Sequence, residues 1–327
     1  MLVEPLFDGP LDIVADVHGE LDSLRQLLAM LGYDEMGRHA AGRRLVFLGD
    51  LTDRGPDSPG VVRLVAELVF AGKAQALLGN HELNILLGHP KHGNHWFWGE
   101  PEVMDGSGRM VPQRLADEAV RREAWALFES LPLVLCRPDL CLVHACWQEE
   151  MVSLVQGGTS AVELYEAHDR AIREELDSRQ IEDKVERALQ RQNRNPVKVL
   201  TSGLECKASQ PFWAQGRWRK EQRVAWWQAY QGERFCVFGH YSRRLVPREE
   251  RAGDVFHGTP PLALLGGGRA MCIDYAVASR WEHRMTGVVA VCEELPLAAL
   301  RWPEGELVWE DGRRHVLAGV RDRAPQA

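Results

Sequence analysis

The sequence lacks the features that are typical of membrane proteins, nucleic-acid-binding proteins and secreted proteins. No apolar run in its 327 residues approaches the length of a membrane-spanning helix. The net charge of −8 provides no general basic field to attract phosphate backbones, which argues against broad nucleic-acid binding. The seven cysteines are odd in number, show no paired spacing, and follow no secretory leader. We therefore expect a cytoplasmic protein with reduced thiols and no membrane partner.

Apolar residues make up 45% of the chain, and strand-like runs alternate with helical patterns in its first part. Leucines recur at helical spacing over residues 20–31 before a glycine, which predicts an amphipathic helix that ends there. Valines and leucines over residues 61–69 repeat this pattern. Together with the apolar runs around them, these helices predict a right-handed β-α-β-α-β core. We expect one domain over residues 1–327, with insertions at about 88–116 and 150–232.

Polar motifs follow three successive apolar runs within the first 82 residues. They are Asp16-Val17-His18-Gly19, Gly49-Asp50-Leu51-Thr52-Asp53-Arg54-Gly55 and Gly79-Asn80-His81-Glu82. Because open α/β sheets hold their ligands at the carboxyl ends of the strands, we expect these side chains to lie together. Carboxylate, amide and imidazole groups without a thiolate suit a pair of borderline divalent ions better than a structural zinc. The motifs therefore predict a metal site.

Two further apolar runs each end in a histidine, His144 and His240. With these five motifs the chain resembles the calcineurin-like metallophosphoesterases, in the branch of phosphoprotein phosphatases and bacterial diadenosine tetraphosphatases. The resemblance implies an α/β fold in which two sheets form a sandwich, flanked by helices and carrying helical insertions. It also implies an enzyme that hydrolyses a phosphate ester or anhydride with hydroxide generated at two divalent metal ions. Manganese is the favoured metal, with iron, zinc, cobalt or nickel as alternatives.

The resemblance assigns a role to most of the polar motif residues. The implied metal ligands are Asp16 and His18 in a first site, Asn80, His144 and His240 in a second, and Asp50 in both. Asp50 suits the bridging position because each of its carboxylate oxygens can serve one metal. By the same resemblance, His81 protonates the leaving oxygen and Asp53 orients His81. Arg54 is suited to clamp two phosphate oxygens because a guanidinium group is planar and always charged.

Two alternative interpretations compete with an active metal site. A single motif of this kind is more often a strand-to-helix turn, in which the aspartate caps the helix and the glycine allows a tight backbone. A member of the family that has become a catalytically silent scaffold would have lost at least one ligand, and this chain retains all of them.

The substrate is less well defined by the motifs than the reaction. Relatives follow the residue that matches His144 with Gly-Gly or Ala-Gly, whereas this chain has Ala145-Cys146-Trp147. We favour a small nucleotide substrate, a dinucleoside polyphosphate such as diadenosine tetraphosphate. The alternative is a Ser/Thr protein phosphatase acting on a protein substrate. An RNA-end phosphatase comes third, because residues 46–60 also resemble the phosphatase domain of bacterial RNA end-healing enzymes.

Candidate substrate-binding residues occur in both insertions and after the last motif. We expect residues 88–110 to cover the cleft, with a nucleotide base stacking on Trp96 or Trp98. Besides Arg54, the cationic candidates are Arg217, Arg223 and Arg243. The run 217–227 alternates cations with tryptophans, which predicts either a nucleotide-stacking surface or a solvated helix with a tryptophan face in the core.

Several clusters have both a functional and a structural interpretation. His89, His92 and His95 could form a third metal site, but Pro90 and Gly93 favour a loop of substrate-facing or exposed histidines. The cysteines at 136, 141 and 146 could bind zinc, although burial as small apolar residues is the simpler interpretation. The charged run 161–193 predicts a solvated helical insertion, or else a partner-binding helix. Strands are expected again at 270–275 and 287–291, before a frayed tail at 321–327.

Overall fold

The computed structural model describes residues 1–91, 93–99, 113–214, 217–246, 253–286 and 294–320. The strands are β1 (Val3–Pro5), β2 (Leu11–Val14), β3 (Arg44–Phe47), β4 (Ala74–Ala76), β5 (Val134–Cys136), β6 (Leu140–Val143), β7 (Glu205–Ala214), β8 (Arg217–Arg223), β9 (Phe235–Phe238), β10 (Ala270–Cys272), β11 (Ala298–Trp302), β12 (Glu306–Trp309) and β13 (Arg314–Val316). The helices are α1 (Leu21–Leu31), α2 (Ser58–Phe70), α3 (Asn80–Leu86), α4 (His95–Trp98), α5 (Glu118–Ser130), α6 (Glu149–Val155), α7 (Ala161–Ser178), α8 (Lys184–Asn193), α9 (Pro196–Ser202) and α10 (Arg280–Thr286). The predicted strand at 287–291 and the tail at 321–327 lie outside the described residues.

Two mixed sheets form the centre of the molecule. One has the strand order β1-β5-β6-β9-β10 and the other has the order β13-β12-β11-β2-β3-β4. Strands β2, β3 and β4 run parallel and are connected through α1 and α2. Strands β6, β9 and β10 are also parallel. The predicted β-α-β-α-β core and the two-sheet α/β sandwich are therefore confirmed.

Alternation of side chains along the strands divides the apolar core into two layers. Leu140 and Leu142 of β6 join the smaller apolar cluster, which contains residues from both sheets. Cys141 and Val143, which point to the opposite face, join the larger cluster that includes the buried faces of the helices. Both faces of these central strands are thus buried, as expected for parallel strands covered by helices.

The second insertion contains both helical and extended structure. The charged run at 161–193 forms α7 and α8, as the sequence predicts. Residues 217–223 do not form the predicted helix, because they pair with β7 as strand β8, and a short 3-10 helix follows at Trp226–Ala229. Trp226 and Trp227 then turn into the core, whereas Trp218 is 67% exposed on the hairpin.

Within the described ranges, no helix is both long enough and apolar enough to cross a bilayer. Cys141 and Cys146 are buried, and no cysteine belongs to a candidate metal cluster among the described residues. Their burial supports the interpretation as small apolar core residues.

Candidate metal centre

The polar motifs follow the carboxyl ends of parallel strands in both sheets, and their side chains lie together at one edge. Asp16 and His18 follow β2, Asp50 follows β3, and His81 lies in the first turn of α3 after β4. His144 follows β6 and His240 follows β9 in the other sheet. The side chains of Asp16, His18, Asp50, His81 and His144 are all at most 4% exposed. Asn80 and His240 are half-buried.

The Asp50 carboxylate lies between two groups of potential metal ligands. Its Oδ2 is 3.7 Å from Nε2 of His18, and its Oδ1 is 3.3 Å from Nε2 of His144. One candidate cluster contains His18, Asp50 and His81, and the other contains Asp50, His144 and His240. Within each cluster the ligand atoms lie within 4.8 Å of one another, and Asp50 is the residue that the two clusters share.

Hydrogen bonds orient His18 and His144 toward Asp50. Nδ1 of His144 is 2.7 Å from the Leu48 carbonyl oxygen, and Nδ1 of His18 is 3.2 Å from the Thr52 carbonyl oxygen. Because a carbonyl oxygen can only accept, each Nδ1 carries the proton and donates it. In the neutral ring the Nε2 lone pair then faces the edge where Asp50 lies, which is the usual arrangement of a metal-binding histidine.

One carboxylate oxygen of Asp16 indicates that cations fit the sheet edge where the polar motifs converge. Oδ2 of Asp16 accepts a hydrogen bond of 3.0 Å from the backbone N–H of His240, but Oδ1 is buried and has no hydrogen-bond partner among the described residues. Burial raises the pKa of Asp16 well above its ordinary value, and the charge of Asp274 raises it further. An unpaired buried carboxylate is unfavourable, and a bound cation would satisfy it. The donor set of carboxylates, imidazoles and an amide therefore fits divalent metal ions.

The loops that carry the ligands have an unusual backbone. His18, Asp50, Asp53, Arg54 and His240 all have φ between 45° and 76°, in the left-handed region that non-glycine residues rarely adopt. Such strain persists only where the surrounding structure enforces it, and it is concentrated at functional sites.

Glu82 provides much of that enforcement, a role that its place in the third motif did not predict. Its carboxylate accepts hydrogen bonds from the backbone N–H groups of Asp50 and Leu51 at 2.9 Å and of Gly79 at 3.1 Å. Burial, helped by the charge of Asp50, raises the pKa of Glu82 to about 8. One side chain of the third motif therefore holds the loop of the second.

His81, Asp53 and Trp96 form a hydrogen-bonded series beside the clusters. Nδ1 of His81 is 2.6 Å from Oδ2 of Asp53, and Nε1 of Trp96 donates to Oδ1 of Asp53 at 2.6 Å. All three side chains are at most 2% exposed. Burial raises the pKa of Asp53 well above its ordinary value and lowers the pKa of His81 to about 3. The Nε2 atom of His81 lies 3.9 Å from Oδ2 of Asp50.

The predicted arginines occupy different environments. Arg54, which belongs to the second motif, is half-buried; burial lowers its pKa, and the positive charge of Arg223 contributes to the decrease. Arg223 donates from Nη1 to the His240 carbonyl oxygen at 3.1 Å, which brings it to the metal edge. Arg243 is not available to a substrate, because it is 1% exposed and donates to the carbonyl oxygens of Pro260 and Ala263. The Arg217 side chain lies outside the described residues.

The expected stacking surface in the first insertion is only partly present. Trp96 has 0% exposure, so its ring has no open face for a base. Trp98 is half-buried and donates to Oδ1 of Asn94 at 3.2 Å. Neither His89 nor His95 joins a candidate metal cluster of described residues, and His92, like residues 100–112, lies outside them.

Asp274 is a further buried acid at this edge that the motifs did not identify. It accepts hydrogen bonds from the backbone N–H groups of Ser242 at 2.6 Å and Ala276 at 2.8 Å. The available signal was its position, since Asp274 follows the apolar strand β10 just as the predicted ligands follow their strands.

Comparisons with known proteins are consistent with this geometry. The family model for calcineurin-like phosphoesterases matches residues 9–244. PrpE of Halalkalibacterium halodurans, an asymmetrical bis(5′-nucleosyl)-tetraphosphatase by name, is 49% identical over 147 residues, which cover 42% of this chain and 58% of that protein. The protein of the same name from Bacillus subtilis is 36% identical over 145 residues, covering 41% of this chain and 56% of the relative. The chain thus spans little more than half the length of these two relatives.

Among solved structures, a cold-active protein-tyrosine phosphatase of a psychrophilic Shewanella species is similar, with a TM-score of 0.52 and 16% identity. The match covers 96% of this chain and 82% of that one. At this level of identity, the similarity concerns the fold alone.

Proposed function

The chain belongs to the calcineurin-like phosphoesterase family, and on that premise we propose that it hydrolyses a phosphate ester or anhydride with the help of two divalent metal ions. The observation that carries the proposal is the shared carboxylate of Asp50. One of its oxygens lies 3.7 Å from a nitrogen of His18, and the other lies 3.3 Å from a nitrogen of His144. A ligand that faces two clusters at once is what a pair of metals requires.

The proposed ligands are Asp16 and His18 for one metal, Asn80, His144 and His240 for the other, and Asp50 for both. The unpartnered Oδ1 of Asp16 and the Asn80 Oδ1, 3.3 Å from Nε2 of His144, support this assignment. We favour manganese, with iron, zinc, cobalt or nickel as alternatives. When bound, such ions neutralise phosphoryl oxygens and lower the pKa of water.

The remaining polar residues would handle the proton and the phosphate. His81 would donate a proton from Nε2 to the leaving oxygen, while Asp53 holds the ring through Nδ1 at 2.6 Å. Arg54 and Arg223 would bind phosphate oxygens, because both lie close to the ligand cluster and a guanidinium group can donate two parallel hydrogen bonds.

For the substrate we propose a dinucleoside polyphosphate such as diadenosine tetraphosphate. The names of the sequence relatives support this choice, although the chain matches only part of their length. The paired positive charges of Arg54 and Arg223 also suit a polyphosphate chain.

We also propose a single domain and a cytoplasmic location. The small apolar cluster shared by both sheets, and the pairing of β11 near the chain's end with β2 near its start, support one domain. The seven cysteines are odd in number and show no paired spacing, which supports a reducing compartment.

A parallel assay on purified protein with Mn²⁺ tests the substrate. The panel comprises diadenosine tetraphosphate, nucleoside triphosphates, phosphoserine and phosphothreonine peptides, and RNA with a terminal phosphate, with Asp50→Asn as the control for contaminating activity. We expect the highest kcat/KM with diadenosine tetraphosphate. If phosphopeptides exceed it by tenfold, about 1.4 kcal/mol in transition-state free energy, the nucleotide proposal fails and a protein phosphatase replaces it.

A further inference from the structure

We propose that Trp96 is a positioning residue for acid catalysis, acting on His81 through the carboxylate of Asp53. The proposal rests on the proposed role of His81 as the proton donor. It concerns a residue outside the five motifs, on the short helix α4 of the first insertion.

Each carboxylate oxygen of Asp53 is hydrogen-bonded to one ring nitrogen. Oδ2 faces Nδ1 of His81 and Oδ1 faces Nε1 of Trp96, both at 2.6 Å. The direction of the second bond is certain, because an indole N–H can only donate. The backbone N–H of Asp53 also donates to the Ser58 hydroxyl oxygen at 2.9 Å. The carboxylate is therefore held at both oxygens, with Oδ2 facing His81.

The same hydrogen bond fixes the direction of the His81 ring. Because the indole N–H occupies Oδ1, the buried carboxylate presents Oδ2 to Nδ1 of His81, and this contact sets where Nε2 points. Without the Trp96 N–H, Asp53 orients His81 less well.

Packing and backbone hydrogen bonds on both sides of α4 hold Trp96 in place. The indole is fully buried and meets the Phe97 ring edge to face, with centroids 5.6 Å apart. Just before α4, the Gly93 carbonyl oxygen accepts from the backbone N–H of Arg54 at 3.3 Å. After it, the Trp96 carbonyl oxygen accepts from the backbone N–H of Ala116 at 2.8 Å. The insertion therefore contributes directly to the proposed catalytic group.

The test compares aryl and alkyl phosphates whose leaving groups differ in basicity. p-Nitrophenolate departs with little help from an acid, whereas phenolate and alkoxides depend on protonation. We expect Trp96→Phe to lower kcat about 10-fold for phenyl phosphate and alkyl phosphates, with p-nitrophenyl phosphate changed by less than about 2-fold and KM unchanged. Trp302→Phe is the matched control, because Trp302 is equally buried and donates to Asp139 at 2.9 Å, outside the candidate site.

A double variant tests the route through Asp53. Trp96→Phe should have no further effect in an Asp53→Ala background. The proposal would be overturned if Trp96→Phe lowered kcat equally for all leaving groups. It would also be overturned if Trp96→Phe lowered kcat by the same factor in the Asp53→Ala background. If Trp96→Phe does not fold, Trp96→Tyr replaces it; if neither folds, the residue serves folding and the positioning role is wrong.

The experiment also separates this inference from the proposed function. If His81→Ala shows the leaving-group dependence and Trp96→Phe does not, only the role of Trp96 fails. If the wild-type protein hydrolyses neither these esters nor diadenosine tetraphosphate with any divalent metal, the proposed function fails, and the role of Trp96 fails with it.

Discussion

Asp16 and Gly239 show how closely the side chains at the metal edge are packed. A Cβ atom on Gly239 would lie 2.0 Å from Oδ1 of Asp16, the buried oxygen that lacks a hydrogen-bond partner. Glycine is therefore required here by close approach to a proposed ligand. A side chain at this position would displace the Asp16 carboxylate, whose other oxygen accepts from the backbone N–H of His240.

We predict that Gly239→Ala lowers kcat about 100-fold, because the new methyl group displaces the Asp16 carboxylate and small displacements at a reacting centre have large effects on rate. Gly158→Ala is the control, since its methyl group would meet the flexible end of Leu2 at 2.9 Å and the Val155 carbonyl oxygen at 3.1 Å, outside the site. Steady-state kinetics and metal analysis of both variants provide the measurement. Normal activity in Gly239→Ala would contradict the proposed role of Asp16.

The sequence predicts the site residues that belong to short, recognisable patterns. It does not predict the residues whose role depends on tertiary packing. Asp50 and His144 were found because a polar side chain directly after an apolar run stands out within a few residues of sequence. The burial of Trp96 and Arg243 depends on which distant segments cover them. Residue type and spacing do not predict those contacts. Glu82 stood in a recognised motif, but its role depends on backbone N–H groups that only the folded loops bring together.

At the scale of elements, α1 was predictable from its local sequence pattern, whereas β8 depends on a contact with another segment. The leucine spacing predicted a helix over 20–31, and α1 spans Leu21–Leu31 before a left-handed Gly32. Residues 217–223 became a strand because they pair with β7. Strand pairing is a contact between separate segments, so the alternating charges and tryptophans could not distinguish it from a solvated helix.

Helix α9 carries a lysine whose burial makes stability depend on pH. Burial, helped by the positive charge of Arg191, lowers the pKa of Lys198 to about 8. Its Nζ lies 5.5 Å from the centre of the Tyr165 ring on α7. Between that pKa and the ordinary lysine value of about 10.4, the unfolded chain binds more protons than the folded one. The contribution of Lys198 to stability therefore rises with pH across this interval.

We predict that Lys198→Met raises the unfolding temperature at pH 7, where the folded protein holds a half-buried ammonium group. The advantage should shrink as the pH approaches 10, because the wild-type lysine is then neutral when folded. Thermal unfolding at both pH values provides the measurement, with the exposed Lys207→Met on β7 as the control. A stabilisation that is equal at both pH values would show that packing, and not charge, is responsible.

At the scale of the whole molecule, the two sheets act as one frame for the candidate centre. Ligands from β2 and β3 of one sheet meet those from β6 and β9 of the other, and Asp50 lies where the two sets join. Neither sheet alone provides both clusters. The central claim is therefore that one chain binds two metal ions through a shared Asp50.

The most direct test is the number of metal ions bound per chain, measured by elemental analysis after loading with Mn²⁺ and removal of free metal. We predict about two ions for the wild-type protein, a reduced number with no turnover for Asp50→Asn, and two ions with activity lowered about 10²- to 10⁴-fold for His81→Ala. Circular dichroism of each variant controls for folding. A wild-type protein with one ion or none, or an Asp50→Asn variant that keeps two, would contradict the account. Loss of metal in His81→Ala would make His81 a ligand instead of the acid.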